Sequence, residues 1–74
     1  MERLLTLLKQ VNSEVDFENN KSLVTDGVLD SIDIISIVSS IEEEYSIEID
    51  PTEIDPDNFE SAEAILEMIK RYIN

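Results

Sequence analysis

Apolar residues recur every three or four positions in three stretches of the chain, a spacing typical of amphipathic helices. The first stretch predicts a helix at Glu2–Val11, and the second predicts a helix at about Ser31–Tyr45. The third predicts a helix that starts after Ser61 and ends near Ile73. Each helix has an apolar face, so we expect the three to pack together in a small bundle.

The second predicted helix has the longest apolar face. One face contains Ile34, Val38, Ile41 and Tyr45, with Ile35 and Ile37 beside it. Ile32 falls on the opposite, polar side, because it lies one turn before Ser36 and residues four positions apart share a face. An exposed isoleucine at this position is a candidate contact for a partner protein.

A long loop at 12–29 is predicted between the first two helices, with turn signals at Asn19-Asn20 and Asp26-Gly27. Gly27 is the only glycine in the chain, so a turn with positive φ is expected there. Loops of this length are uncommon in small domains and are often functional. The residues expected to pin this loop across the core are Phe17, Leu23, Val24, Val28 and Leu29.

Two Asp-Pro pairs, Asp50-Pro51 and Asp55-Pro56, lie between the second and third helices. A capping aspartate followed by proline is a helix-start signal. One of the two pairs is therefore expected to begin a short helix, with Phe59 as its anchor in the core. The chain thus predicts a single all-α domain over residues 1–74, with three main helices and one short helix.

The chain carries 18 acidic and 5 basic residues, a formal net charge of −13 at pH 7. No basic residue lies between Lys21 and Lys70, so this surface is expected to repel nucleic acid and attract basic patches on other proteins.

No apolar run approaches the ~20 residues that span a bilayer, and the first residues do not resemble a signal peptide. Cysteine is absent, which excludes a disulfide. We therefore expect a cytoplasmic monomer.

Ser31 follows Asp30 at the predicted start of the second helix, within the sequence DGVLDSID at 26–33. Asp30 is expected to cap this helix, with Asp33 at the third helical position forming a partial capping box. The serine hydroxyl then lies free at the positive end of the helix, a favourable place for a phosphate group. The chain has no histidine that would activate Ser31 as a nucleophile. From local chemistry alone, Ser31 is either a modification site or simply the first residue of a helix. In neither case does the sequence predict enzymatic activity.

The segment GVLDSID at 27–33, followed by IEEEY at 41–45 and IEI at 47–49, resembles the acyl carrier protein family. The family usually has leucine where this chain has Ile32. The resemblance extends over 23–73 and implies an acyl-carrier-like bundle with a 4′-phosphopantetheine arm attached to Ser31. It also implies that a phosphopantetheinyl transferase supplies the arm from coenzyme A with magnesium, and that acyl groups are then carried as thioesters.

The same resemblance implies that the acidic second helix contacts partner enzymes. The expected partners are an acyl- or aminoacyl-loading ligase and acyl-processing enzymes with basic docking patches. The candidate partner-binding residues are Asp30, Ile32, Asp33, Glu42, Glu43 and Glu48.

Two other functions stay open. Ser36 and Ser39 stand where fatty-acid carriers commonly have an acidic and a large apolar contact, and DNFES at 57–61 is similar to D-alanyl carrier proteins. A D-alanyl or other aminoacyl- or peptidyl-type carrier, loaded by an adenylating ligase, is therefore the alternative. The acidic runs at 42–44 and 50–57 raise a more remote alternative, an acidic divalent-cation-binding or adaptor protein. Neither run has the mid-loop glycine of an EF-hand, and no metal site is predicted.

Overall fold

The computed structural model describes residues 1–73. Helix α1 spans Glu2–Val11, α2 spans Ser31–Tyr45 and α3 spans Ala62–Ile73. No strand occurs within these residues, so the predicted all-α class and the three main helices are confirmed. The longest helix among residues 1–73 is α2, with 15 residues. No helix in this described part of the chain is long and apolar enough to cross a membrane.

The core forms where the apolar faces of the three α-helices meet and the long loop crosses them. Its largest fully buried side chains are Phe17, Phe59, Leu4, Leu8, Leu23, Ile37, Ile41, Ile65, Met68 and Ile69. Both phenylalanines come from outside the α-helices, which confirms that the loop and the segment before α3 are anchored in the core. Burying side chains of this kind is worth roughly 1.5–3 kcal/mol each, a large share of the stability of a small domain.

Helix α2 turns a slightly different face to the core than its pattern predicts. Ile37 and Ile41 are fully buried, whereas Ile34 and Tyr45 are only half-buried. Ile35, which was expected beside the core face, is 64% exposed. Ile34 is only half-buried and Ile35 is exposed because the first turns of α2 border an open groove, described below, rather than a closely packed helix.

Both Asp-Pro pairs between α2 and α3 form short 3-10 helices, where the sequence predicted one. These helices span Pro51–Glu53 and Pro56–Phe59. In each, the aspartate before the proline accepts a backbone N–H two residues further on, at 2.9 Å. The same start signal works twice because proline has no N–H to leave unpaired and the aspartate satisfies the next one.

The end of the long loop folds around the carbonyl group of Leu23. This carbonyl accepts the N–H groups of Val28 and Leu29, both at 2.9 Å, which closes a tight turn just before α2. Gly27 lies in this turn with φ of +73°, as predicted, and its N–H donates to the Val24 carbonyl at 3.0 Å. A Cβ atom on Gly27 would meet no atom within 4 Å, so the turn requires glycine for its backbone angle and not for space.

Glu60, between the second 3-10 helix and α3, ties this loop to the bundle. Its carbonyl accepts the N–H of Leu23 at 2.9 Å, and its Oε1 accepts the N–H groups of Val24 and Thr25, each at 2.9 Å. The Thr25 hydroxyl donates to Oε2. These bonds favour the charged carboxylate, so the pKa of Glu60 lies below its usual value of 4.5, with the Thr25 hydroxyl as the largest cause.

Gly27→Ala is expected to destabilise the protein, because alanine in left-handed backbone costs roughly 1–2 kcal/mol. Gly27→Asn, the matched control, is expected to cost less, since asparagine tolerates this backbone conformation better. Midpoints of urea unfolding at an unchanged m-value measure both differences. Equal midpoints for Gly27→Ala and wild type would show that the turn does not depend on the positive φ.

Acidification is expected to remove the contribution of the Glu60 carboxylate to stability. Its pKa is below 4.5 in the folded protein, so the unfolded chain binds this proton more readily. The contribution is therefore present above pH 4.5 and is lost as the pH falls from there through the folded pKa. Glu60→Gln has no carboxylate to protonate, so its free energy of unfolding should fall less than that of wild type between about pH 5 and about pH 3. Parallel losses in the two proteins would contradict this.

Candidate functional site

Ser31 is the first residue of α2, and its side chain is exposed. Two aspartates fix the helix start around it. Asp30 Oδ1 accepts the N–H of Asp33 at 2.9 Å, and Asp33 Oδ2 accepts the N–H of Asp30 at 3.4 Å. This is the predicted capping box, and it leaves the Ser31 hydroxyl at the positive end of a helix of 15 residues.

An apolar groove of about 320 Å³ begins at Ser31 and lies between α2 and the segment that carries the two 3-10 helices. The groove is lined by Ser31, Ile34, Ile35, Ile54, Asp55, Pro56 and Phe59. Phe59 is fully buried, whereas Ile35 and Ile54 are 64% and 41% exposed. Small-molecule pockets begin at roughly 300 Å³, so the groove is large enough for a small apolar ligand.

The candidate partner-binding residues differ in exposure. The exposed ones are Asp30, Ile32, Glu43 and Glu48. Ile32, directly after the serine, is 73% exposed, as predicted. Asp33 and Glu42 are half-buried and also hold local structure, because Asp33 belongs to the capping box and Glu42 Oε2 accepts the N–H of Ile49 at 2.8 Å.

The exposed surface of α2 is neutral in its middle. Ser36 and Ser39 are exposed there, while the acids lie toward the two ends of the helix. Asp33 and Glu43 are about 15 Å apart along the helix axis, at 1.5 Å of rise per residue. The surface therefore offers two separate negative regions with hydroxyl and apolar groups between them.

Four of the five basic residues form ion pairs within residues 1–73, and none pairs with a candidate partner-binding residue. The pairs are Arg3–Glu44, Lys9–Glu18, Lys21–Glu63 and Arg71–Glu53. The hydrogen bond to Glu18 raises the pKa of Lys9, and the hydrogen bond from Lys21 lowers the pKa of Glu63. Exposed pairs of this kind add little stability, but they fix where the positive charges lie.

The acidic runs do not form a cation site in the described part of the chain. No group of three or more acids among residues 1–73 is arranged to hold a metal ion. In the run 50–57, Asp50 Oδ1 accepts the N–H and the hydroxyl of Thr52 at 2.9 and 2.8 Å, which lowers the pKa of Asp50. Glu53 Oε2 accepts bonds from Asn58 and Arg71 at 3.1 and 2.7 Å. Asp50 therefore caps a 3-10 helix, and Glu53 holds Asn58 and Arg71 by hydrogen bonds.

The groove, and the residues that shape it, were not predicted from the sequence. The helical pattern puts Ile35 beside the core and gives Ile54 no role, yet both line the groove. The available signal was Ile54 itself, an isolated apolar residue between two Asp-Pro pairs. Glu60 was missed because it is one of 18 acids and because Thr25, which it holds, lies 35 positions away in sequence.

Comparisons with known proteins identify the family. The family model described as "Phosphopantetheine attachment site" matches residues 2–69. An acyl carrier protein of Buchnera aphidicola subsp. Baizongia pistaciae (strain Bp) is 37% identical over 60 residues, which cover 81% of this chain and 74% of that protein. No solved structure matches the chain significantly. Because the family model covers all three α-helices nearly completely, the chain belongs to the acyl carrier protein family, a family of carriers that bear 4′-phosphopantetheine rather than of enzymes.

Proposed function

We propose that this chain is a single carrier domain that holds acyl intermediates on a 4′-phosphopantetheine arm attached to Ser31. The observation that carries the proposal is an exposed hydroxyl on the first residue of α2, at the end of an apolar groove. Family membership supports the cofactor, and the helix start supports the residue. In this role the protein is a substrate of other enzymes and catalyses no reaction itself.

The surroundings of Ser31 suit a phosphodiester. The positive end of α2 favours a negative charge at its first residue. The arm supplies a terminal thiol, on which acyl groups are held as thioesters. The Ser31 hydroxyl oxygen would form the new bond to the phosphorus that carries the pantetheine, while the pyrophosphate bond of coenzyme A breaks and adenosine 3′,5′-bisphosphate leaves. The hydroxyl proton would pass to a base of the phosphopantetheinyl transferase. We place that base on the transferase, because this chain has no histidine to act as a general base near pH 7.

The groove favours an acyl cargo over an aminoacyl one. Apart from Ser31 and Asp55, every residue that lines it is apolar. An apolar chain gains roughly 25 cal/mol for each Å² that it removes from water, whereas the ammonium group of an aminoacyl thioester would lose hydration there. The D-alanyl or other aminoacyl alternative has the neutral middle of α2 in its favour, at Ser36 and Ser39, and stands second.

Helix α2 is the docking surface in this proposal. Asp30 and Glu43 are exposed acids near its two ends, and Ile32 offers apolar surface directly beside the serine. A loading ligase or acyl-processing enzyme would match these two acids with two basic patches about 20 Å apart along the helix axis, around an apolar active-site rim. The charges steer the encounter, and the isoleucine adds contact area once the surfaces meet.

The first test concerns the attachment site. Incubated with coenzyme A, magnesium and a broad-specificity phosphopantetheinyl transferase, the wild-type chain is expected to gain the mass of one phosphopantetheine group. Ser31→Ala should gain none, whereas Ser36→Ala, which removes another exposed hydroxyl of α2, should be modified like wild type. Intact-protein mass spectrometry measures all three, and circular dichroism checks that each is folded. A wild-type chain without added mass, or a gain that survives Ser31→Ala, would refute the assignment.

The second test concerns docking. Glu43→Lys is expected to slow modification of Ser31 by roughly threefold to tenfold at low salt, because charge reversal weakens steering toward a basic partner. The defect should shrink when ionic strength rises from about 0.01 M to about 1 M, where the Debye length falls from roughly 30 Å to roughly 3 Å. Glu67→Lys, the same reversal at an exposed acid of α3, is the matched control. Equal rates for the two variants at low salt would remove α2 as the docking surface.

A further inference from the structure

Glu60 holds three consecutive residues of the long loop. Its carboxylate accepts two backbone N–H groups and a hydroxyl from Val24 and Thr25, and its carbonyl accepts the N–H of Leu23. Hydrogen bonds to an ionised acceptor are roughly twice as strong as neutral ones. These four bonds, here called the Glu60 latch, fasten the loop to the start of α3.

The latch joins the two sides of the Ser31 groove. On one side, Glu60 directly follows Phe59, which is fully buried and lines the groove. On the other side, the carbonyl of the latched Leu23 accepts two N–H groups of the turn that ends at Leu29, two positions before Ser31. A displacement of the loop at Leu23 would therefore reach the start of α2 within a few residues.

Apolar packing holds the latched segment fully at Leu23 and in part at Val24, which packs against the edge of the core. Leu23 is fully buried, but Val24 is half-buried, and Thr25, Asp26 and Gly27 are exposed. Segments with few buried apolar contacts open locally at a free energy well below that of global unfolding. Beyond Leu23 and Val24, the hydrogen bonds of the latch are what holds this segment closed.

We propose that Glu60 is a positioning residue for the modification of Ser31. The Glu60 latch keeps the loop closed against the start of α3, and so keeps the first turn of α2 in the geometry that the phosphopantetheinyl transferase meets. This inference rests on the proposed function of Ser31. A molecule whose loop is open cannot be modified by the transferase. The apparent kcat/KM of modification therefore scales with the fraction of molecules whose loop is closed.

Amide hydrogen exchange and transferase kinetics on the full chain test the inference together. In Glu60→Ala, which loses three hydrogen bonds to an ionised acceptor, the amides of Val28 and Leu29 are expected to exchange roughly a thousandfold faster, although their own acceptor, the Leu23 carbonyl, is unchanged. The amide of Ile41 in α2 reports global unfolding and is expected to change less. The kcat/KM of modification should fall by roughly threefold to tenfold at a temperature where circular dichroism shows a folded variant.

Two variants separate the latch from the general effect of losing an acid. Glu60→Gln keeps an oxygen that accepts the N–H groups of Val24 and Thr25, and it is expected to recover most of the exchange protection and of kcat/KM. Glu67→Ala removes an exposed acid of α3 that makes no bond to the loop. It is expected to match wild type in both measurements.

If Glu60→Ala shows the same exchange rates at Val28 and Leu29 and the same kcat/KM as wild type, the inference is overturned. Exchange that rises equally at Leu29 and Ile41 would do the same, because it signals global destabilisation. A Glu60→Gln variant as impaired as Glu60→Ala would also contradict a latch made of hydrogen bonds. If the wild-type chain is itself not modified, the proposed function fails and the positioning role with it, and faster exchange at Leu29 then reports a purely structural contact.

Discussion

The capping box between Asp30 and Asp33 is the interaction on which the site depends. Asp30 has extended backbone, with φ of −100° and ψ of −177°, and its reciprocal bonds with Asp33 end the loop and begin α2 at a single residue. Ser31 becomes the first helical residue for this reason. If the helix began one turn later, Ser31 and Ile34 would belong to the loop, and the groove would lose part of one wall.

The acidic residues of this chain also hold its local structure. Asp30, Asp33, Glu42 and Glu60 each accept backbone N–H groups. Such bonds put a carboxylate beside positive N–H dipoles, which offsets part of the repulsion among 18 acids. This arrangement is consistent with a radius of gyration of 11.0 Å, close to the ~11 Å expected for a folded chain of this length. The acidic residues of this chain therefore cap helices and close turns in addition to setting its net charge.

The features that could be predicted from the sequence are local ones. The helix bounds, the capping box and the positive φ of Gly27 follow from residues within one turn of each other, and the structure agrees with all three. The groove and the Glu60 latch could not be predicted in this way, because each joins segments far apart in the chain. Ile35 shows the limit: helical periodicity defines its face, but only the neighbouring segment decides whether that face meets the core or an opening.

The positions of the basic residues have a consequence for how the molecule turns in solution. Helix α2 has no basic residue, whereas α1 carries Arg3 and Lys9 and α3 carries Lys70 and Arg71. This uneven distribution gives the molecule a permanent electric dipole. In the field of a positively charged enzyme the whole domain would rotate before contact, with α2 facing the enzyme. A larger fraction of collisions would then begin in a reactive orientation, which raises the association rate without requiring a longer-lived complex.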